Sequence, residues 1–461
     1  MNNQVAQVSK KELAAAEPMV PVGYKQTEVG VIPEDWEVCS LGNLSNFITS
    51  GSRGWAQFYS NQGALFVRSQ NVRNGKLDLK DSQFVTPQVG AEGDRTRLKK
   101  YDLLITITGN SVGNVALVEE DLGDAYISQH VGLVRLKYFE SAKYICMFLS
   151  PGSFGNYQIA ASQSGQSKPG LTLKNLNDFL IVTPSLPEEQ TAIANALSDV
   201  DALIGSLEAL IAKKQAIKTA TMQQLLTGRT RLPQFANHPD GSSKGYKTSE
   251  LGEIPEDWEV VKIGDVALVD SENLGSSTAL DYEFDYISLE QVDTGTLLNT
   301  TKLKFSSAPS RARRILKKGD VLVSTVRPNL MSHYFVSNEV KDLICSTGFS
   351  VVRSIEEKMC SGYLYQHLFS SVINGQIEML ISGSNYPSIN GRDVNNLKLQ
   401  IGSLDEQTAI ATILSDMDEE IQALETRLTK TRDLKQGMMQ QLLTGKIRLV
   451  KPLAGDEHHA G

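Results

Sequence analysis

The chain has 461 residues, of which 41% are hydrophobic and 21% are charged, so it is long enough for two or three globular domains. Its net charge of −8 argues against simple nucleic-acid binding by the chain as a whole, because DNA-binding proteins usually carry a basic surface. No apolar run reaches the roughly 18 residues of a membrane span. The four isolated cysteines favour reduced thiols in a cytoplasmic protein over a disulfide or zinc framework.

A flexible tail is predicted over residues 1–22, and the first globular domain over residues 23–185. This domain opens with GYKQTEVGVIPEDWEVCSLG, a segment that returns later in the chain as GYKTSELGEIPEDWEVVKIG. Because large aromatic side chains are usually buried, we interpret Trp36 and Trp258 of these segments as core anchors. The repeat indicates a second domain of the same kind over residues 245–403.

Short β-branched runs and turn signals fill both domains. The run LLITIT, which ends at Thr108, corresponds to VLVSTV, which ends at Val326, and both have the composition of strands. A few helical segments lie between such runs. We therefore predict an α+β fold in which each half is a mixed α/β domain with a mainly antiparallel sheet.

Each domain is followed by a long predicted helix, over residues 186–228 and 404–445. About 40 residues make a helix roughly 60 Å long. Apolar side chains alternate at spacings of four and three residues, which is the heptad pattern of a coiled coil. Both helices close with QQLLTG, whose glycine is expected just after the C-terminus of a helix. The predicted seam residues are Ile193, Leu197, Val200, Ile204, Leu207 and Ile211 in the first helix, and Ile410, Leu414, Met417, Ile421, Leu424 and Leu428 in the second.

The two seams match each other, and a helix with an exposed apolar seam is not stable alone in water. Burying about six side chains per helix, at roughly 1.5–3 kcal/mol each before the entropy cost, favours pairing of the helices. We predict a pseudo-two-fold antiparallel coiled coil with the domains at opposite ends of a rod; pairing between two copies of the chain is the alternative. Residues 229–244 are predicted to be a linker, and residues 446–461 a disordered tail.

The order of domain, long helix, domain and long helix, with the repeated IPEDWEV segments and EQTAI…QQLLTG helices, resembles the specificity subunit of type I restriction–modification systems. The resemblance covers the chain from Gly23 to Leu449. It implies that each domain is a target recognition domain, which reads one part of a bipartite, non-palindromic DNA sequence. The rod of helices suggests that the two parts lie roughly one helical turn of DNA apart, from centre to centre.

The resemblance also implies partners and cofactors outside this chain. The partners are double-stranded DNA, two methyltransferase (modification) subunits that use S-adenosylmethionine, and restriction (translocase) subunits that use ATP and Mg²⁺. This chain is expected to be a non-catalytic, cytoplasmic subunit with no catalytic residue, cofactor or metal of its own. The sequence agrees with that expectation in lacking a GxxxxGK[ST] loop, a GxGxxG loop and an NPPF- or DPPY-type methyltransferase tetrapeptide.

Base-reading residues are expected in loops that differ between two otherwise matching domains. After LLITIT the first domain has GNSVGN, whereas after VLVSTV the second has RPNLMS. Arg or Lys pairs with guanine, and Asn or Gln with adenine, through two hydrogen bonds, so these residue types are favoured. The candidates are Ser69, Asn71, Arg73, Asn74, Asn110, Ser111, Asn114, Gln163, Gln166 and Lys168 in the first domain, and Arg327, Asn329, His333, Asn385, Tyr386 and Arg392 in the second.

Phosphate contacts are expected from local basic clusters. These are Arg95, Arg97, Lys99 and Lys100 in the first domain, and Arg311, Arg313, Arg314, Lys317 and Lys318 in the second. Neither domain has an excess of basic residues, so we expect the isolated chain to bind DNA weakly and with a shallow dependence on salt.

Two other functions remain open at this point. The first is a non-enzymatic coiled-coil scaffold that presents two protein-binding domains. The second is a single-chain restriction–modification enzyme, against which the missing catalytic motifs count.

Overall fold

The computed structural model describes residues 20–73, 75–86, 91–163, 170–381 and 387–450. The chain divides into two compact units, residues 1–206 with 427–461 (unit 1) and residues 207–426 (unit 2). Each unit therefore contains part of each long helix.

Short strands and short helices alternate in the globular part of unit 1. The strands are β1 (Tyr24–Thr27), β2 (Gly30–Pro33), β3 (Trp36–Ser40), β4 (Ser45–Ser50), β5 (Tyr59–Ser60), β6 (Ala64–Val67), β7 (Val72–Arg73), β8 (Lys76–Leu77), β9 (Gln83–Val85), β10 (Leu103–Thr106), β11 (Val115–Leu117), β12 (Ala125–Ile127), β13 (Val131–Leu136) and β14 (Leu180–Pro184). The helices are α1 (Leu41–Leu44), α2 (Ala91–Thr96), α3 (Ala142–Leu149), α4 (Asn156–Ala161), α5 (Leu173–Asp178) and the long helix α6 (Pro187–Leu225), which continues into unit 2.

Two four-stranded sheets form the framework of unit 1. The first, in the order β11-β10-β13-β4, is antiparallel throughout; the second, in the order β12-β6-β9-β5, has one parallel pair, β12 with β6. A two-stranded sheet of β14 with β3 joins the opening segment of the domain to the start of α6. Every residue of β10 is buried, because apolar groups cover both faces of this central strand.

Unit 2 repeats this arrangement. Its strands are β15 (Tyr246–Ser249), β16 (Gly252–Pro255), β17 (Glu259–Lys262), β18 (Ala267–Val269), β19 (Glu283–Ile287), β20 (Val292–Asp293), β21 (Thr296–Leu297), β22 (Thr301–Lys304), β23 (Ala312–Ile315), β24 (Asp320–Ser324), β25 (Tyr334–Phe335), β26 (Leu343–Ser346), β27 (Phe349–Ser354) and β28 (Lys398–Ile401). Its helices are α7 (Ile263–Val266), α8 (Ser361–His367), α9 (Ser371–Ile381), α10 (Gly391–Asn396) and the long helix α11 (Leu404–Leu442), which continues into unit 1.

The first sheet of unit 2 has the same pairings as that of unit 1, whereas the second sheets share three strands and differ in the fourth, which is β5 beside β9 in unit 1 and β23 beside β26 in unit 2. The first sheet has the order β18-β27-β24-β25, and the second the order β22-β19-β26-β23 with β19 and β26 parallel. The runs predicted as strands are confirmed as β10 and β24. The α+β fold class is confirmed too, although each unit has two separate four-stranded sheets where the sequence predicted one.

Helices α6 and α11 run antiparallel where they meet in unit 2. Lys214 Nζ lies 2.7 Å from Glu420 Oε1, and Lys218 Nζ lies 2.5 Å from Asp418 Oδ1. Residue numbers therefore rise along α6 while they fall along α11, which confirms the predicted antiparallel coiled coil.

The same two helices meet in unit 1 with the same geometry. Asp201 Oδ1 of α6 lies 2.7 Å from Lys435 Nζ of α11. All twelve predicted seam residues of the two helices are buried or half-buried, and Leu197 and Leu414 are fully buried. In the part of the chain that the structure describes, no helix combines the length and hydropathy of a membrane span.

A left-handed glycine ends each long helix, as predicted. Gly228 has a φ of +69° and Gly445 a φ of +70°. A Cβ atom would come within 2.5 Å of Pro255 at the first position and within 2.4 Å of Pro33 at the second. Glycine is therefore required at both positions for two reasons: the backbone is left-handed, and the proline of the IPEDW segment leaves no room for a Cβ atom.

An arginine just beyond each of these glycines binds the opening segment of its unit. In unit 2, Arg231 donates two hydrogen bonds to Glu406, at 2.7 and 2.8 Å, and two to Asp257, at 2.8 and 3.1 Å. Its guanidinium lies over the ring of Trp258, whose Nε1 donates to Glu406 at 2.8 Å. Burial raises the pKa of Asp257, but the hydrogen bonds from Arg231 and Lys244 outweigh it and lower this pKa to about 2.

Unit 1 contains an equivalent arginine–carboxylate–tryptophan cluster, whose arginine comes from the C-terminal part of the chain. Arg448 donates to Glu189 at 2.6 and 2.7 Å and to Asp35 at 2.7 and 2.9 Å, and it lies over the ring of Trp36. The hydrogen bonds to Glu189 and Asp35 raise the pKa of Arg448. Trp36 and Trp258 are 0% and 1% exposed, so their predicted role as core anchors is confirmed.

Candidate nucleic-acid interface

One end of the first sheet of unit 1 gathers the segments that were predicted to read bases. Antiparallel pairing places the end of β10 beside the start of β13, and the start of β13 beside the end of β4. The connection over residues 107–114 therefore lies next to residues 51–54 and residues 128–130, with Ile107 N donating to the His130 carbonyl at 2.9 Å.

Two sets of predicted residues meet on this surface. Ser111 Oγ donates a 3.5 Å hydrogen bond to the carbonyl of Ser69, and Asn114 Nδ2 donates a 3.1 Å bond to the carbonyl of Val72. These bonds hold the loop after β10 against the turn between β6 and β7. The exposed candidates nearby are Arg73, Asn110 and Gln163.

Asn71 is buried, contrary to its predicted place among the base-reading residues. It is 2% exposed, and its Oδ1 accepts a 2.9 Å hydrogen bond from Arg68 N. Its Nδ2 donates to the carbonyls of Asp78 and Asp81 at 2.8 and 3.1 Å. Since its hydrogen-bonding groups are satisfied inside the protein, Asn71 stabilises the turn and does not face DNA.

The corresponding sheet end of unit 2 has a loop of different character. Residues 325–331 follow β24, and Arg327 and Met331, with φ of +51° and +53°, flank a 3-10 turn over Pro328–Leu330. Arg327 N donates to the Pro387 carbonyl at 2.8 Å, which joins this loop to the segment before α10. The exposed candidates here are Arg327, Asn329 and Arg392.

His333 is the second predicted base-reading residue that is buried in the structure. It is 0% exposed, and its Nδ1 accepts a 3.1 Å hydrogen bond from Ser324 N at the end of β24. Burial lowers its pKa to about 4. His333 therefore holds the base of the loop rather than contacting a base pair.

We expect unit 2 to lose stability on mild acidification, because His333 and His367 are buried as neutral side chains. Burial lowers the pKa of His367 to about 3, and neither of its ring nitrogens has a hydrogen-bond partner among the described residues. Between pH 6.5 and pH 4 the unfolded chain binds these protons and the folded chain does not, so the free energy of unfolding falls as pH falls. The expected loss is about 1.4 kcal/mol per pH unit for each histidine.

Urea unfolding at pH 7 and pH 5 measures this effect. His367→Phe, which preserves a ring against Tyr363, should remove about half of the pH dependence. An unchanged slope for His367→Phe would contradict the assignment.

Ion pairs occupy many of the predicted phosphate-contacting residues. The pairs are Arg97 with Asp124 at 2.6 Å, Arg314 with Asp270 at 2.9 Å, Lys317 with Glu272 at 2.6 Å, and Lys318 with Glu339 at 3.2 Å. The four carboxylates offset four of the nine positive charges of the two clusters. Phosphate binding by these clusters stays a prediction.

The other basic candidates have no carboxylate partner within the described ranges. Arg95 donates to Thr49, Ser50 and Ser52 and so lies at the end of the first sheet of unit 1 where the predicted base-reading segments gather. The remaining ones are Lys99, Lys100, Arg311 and Arg313. Five predicted residues lie outside the described residues: Asn74, Gln166, Lys168, Asn385 and Tyr386.

Sequence reasoning missed two exposed side chains at the same sheet end of unit 1. His130 Nδ1 lies 2.5 Å from Thr108 Oγ1, and Gln129 Nε2 lies 3.2 Å from His130 Nε2. A signal was present in the sequence, because SQHVGLVRL aligns with STGFSVVRS of the second half, where Thr347 and Gly348 stand in place of these two polar side chains. Among the described residues, no cluster of three or more His, Cys, Asp or Glu is arranged to hold a metal ion.

These features define a class of protein: two copies of one α+β framework, joined to an antiparallel coiled coil, with different loops on equivalent sheet ends. Residues 33–218 and 255–431 match the model of the type I restriction modification DNA specificity domain. The chain belongs to this family.

Known members resemble the chain along nearly its whole length. It is 28% identical over 437 residues to the putative type I restriction enzyme MjaX specificity subunit of Methanocaldococcus jannaschii, which covers 92% of this chain and 97% of that protein. It is 26% identical to the MjaVIII specificity subunit of the same organism, over 91% of this chain and 94% of that one. The crystal structure of a type I restriction–modification S subunit from M. genitalium shares the fold, with a TM-score of 0.56, 16% identity, and coverage of 88% of this chain and 96% of that one.

Proposed function

We propose that this chain is the DNA sequence-recognition subunit of a type I restriction–modification complex. Unit 1 would read one part of a bipartite, non-palindromic target, and unit 2 the other. The observation that carries the proposal is the pair of equivalent sheet ends: the framework strands β10 and β24 correspond, whereas the loops after them differ in sequence and conformation.

The chain would act with partners that supply the chemistry. Two methyltransferase subunits would bring S-adenosylmethionine, and restriction subunits would bring ATP and Mg²⁺. The chain itself would be non-catalytic and without a cofactor, and the complex would act on DNA in the cytoplasm.

Each unit offers a similar groove for such a partner, between its segments of the long helices and its globular part. The groove of unit 2 has a volume of about 690 Å³ and is lined by Met222 and Leu226 among others; that of unit 1 has about 240 Å³ and is lined by Leu197 and Met439. Apolar side chains are also exposed on the helices, which supports a docking role for them. They are Leu203 and Leu434 in unit 1, and Leu210, Ile217 and Leu404 in unit 2.

Single-molecule sequencing of DNA from cells that express this chain with its methyltransferase subunit tests the proposal. We expect N6-methyladenine at a split motif that disappears when only this chain is removed. Absence of such a motif, while the two proteins still co-purify, would favour the non-enzymatic scaffold. Loss of co-purification as well would contradict the proposed function altogether.

We expect Arg327→Ala to relax recognition in one half of the motif and leave the other half unchanged. A bidentate contact between arginine and guanine contributes about 1–3 kcal/mol of discrimination, and the exposed, left-handed Arg327 stands at the start of the reading loop of unit 2. Methylation rates on duplexes with each base at each position measure the effect. Relaxation of both halves would instead identify Arg327 as a structural residue.

A further inference from the structure

We propose that Gln129 reads an A·T base pair in the half-site of unit 1, and that His130 and Thr108 hold it in position. This inference rests on the proposed function and deepens it, because it names a residue and the base that the residue selects. It concerns the three side chains at the sheet end of unit 1, which follow one another in a hydrogen-bonded chain.

The direction of each hydrogen bond in this chain follows from the groups involved. An amide nitrogen can only donate, so Nε2 of Gln129, 3.2 Å from Nε2 of His130, donates to it. Nε2 of the imidazole is therefore unprotonated, and the proton of the neutral ring is on Nδ1. Nδ1 then donates to Thr108 Oγ1 at 2.5 Å. Thr108 lies two residues after the end of β10, so these hydrogen bonds anchor Gln129 to the framework.

The amide of Gln129 retains the groups that adenine needs. One of its two N–H bonds is directed to His130, which leaves the second N–H and the carbonyl oxygen free. In the major groove adenine presents an N6 donor and an N7 acceptor, and an amide satisfies both at once. Holding the side chain in advance lowers the entropy cost of forming that pair.

Unit 2 lacks this arrangement, as expected if the two units read different bases. Thr347 and Gly348 occupy the positions of Gln129 and His130. A Cβ atom on Gly348 would come within 2.6 Å of the Leu289 side chain, so a histidine there would require Leu289 to shift. The smaller Ser69 occupies the corresponding place in unit 1.

The test uses the complete complex of this chain with its methyltransferase subunit, after its split motif is known. Gln129→Ala should reduce discrimination for A·T at one position of the unit 1 half-site by about 5- to 150-fold, the range for one bidentate contact. All other positions, and the half-site of unit 2, should keep their specificity. Gln129→Glu should disfavour adenine at that position, because a carboxylate cannot donate to N7 and instead accepts from cytosine N4.

His130 is a positioning residue in this scheme, and a double variant separates that role from a structural one. His130→Ala should relax the same position as Gln129→Ala, and the double variant should be no worse than Gln129→Ala alone. Thr347→Ala is the matched control and should change nothing in the unit 1 half-site.

The outcomes distinguish this inference from the proposed function. If wild-type methylation follows a split motif but Gln129→Ala leaves every position of it unchanged, the role of Gln129 is overturned and the recognition function stands. Relaxation at a G·C position would overturn the assignment to adenine. If no motif depends on this chain at all, the proposed function itself fails.

Discussion

Leu207→Asp combined with Leu424→Asp should unfold the helix pair of unit 2. Leu207 is 5% exposed and Leu424 is half-buried, so each substitution places a carboxylate in an apolar seam without a partner. Loss of the leucine and burial of an unpaired charge together cost at least about 3 kcal/mol per site. The sum is comparable with the whole stability of a typical domain, about 5–15 kcal/mol.

Circular dichroism and thermal unfolding measure this loss, and methylation of the split motif should disappear with it. Ala209→Asp combined with Ala423→Asp is the matched control, because it adds the same two charges to exposed positions of the same helices. The control should keep the helix content of the wild type. Equal stability of both double variants would show that the seam does not hold the helices together.

Arg231→Ala should destabilise unit 2 by about 3–5 kcal/mol, the usual cost of leaving one partner of a buried ion pair alone. The side chain of Glu406 is 2% exposed, and after the substitution only Trp258 Nε1 would donate to it among the groups described here. Because the pKa of Asp257 is lowered to about 2, its ion pair with Arg231 persists at pH 5.

Denaturant unfolding of two further variants tests the origin of that cost. Arg229→Ala removes an exposed arginine two residues earlier and should have little effect. Arg231→Met with Glu406→Gln replaces both ions and keeps an acceptor for Trp258, so the double variant should be more stable than Arg231→Ala. If Arg231→Ala matched Arg229→Ala, the ion pair would contribute nothing to stability.

The long helices could be predicted from sequence because the heptad spacing of apolar residues indicates which side chains are buried between two helices. Gly228 and Trp36 were predictable for a similar reason, since backbone conformation and side-chain volume restrict those positions to few residue types. The number of sheets was not predictable, because strand runs alone do not specify which strands pair.

The errors in the candidate site have physical causes as well. The carboxylates that pair with Arg97 and Lys317 are distant in sequence, so the clusters looked more basic than they are. His333 aligns with Val115 of the buried strand β11, and that correspondence marked it as an interior residue. A residue that matches a framework strand of the other half supports the fold, whereas a residue that differs at a sheet end is a candidate for reading DNA.

The cluster around Arg448 has a consequence for how the protein is made. Unit 2 is one continuous stretch of chain, residues 207–426, but unit 1 also needs residues from 427 onward, including Arg448 and the Gly445 carbonyl that accepts from Tyr24. During translation, unit 1 therefore leaves the ribosome first but cannot complete its fold until the C-terminal residues have been made. A premature stop near the end of the message would damage the first recognition unit and spare the second.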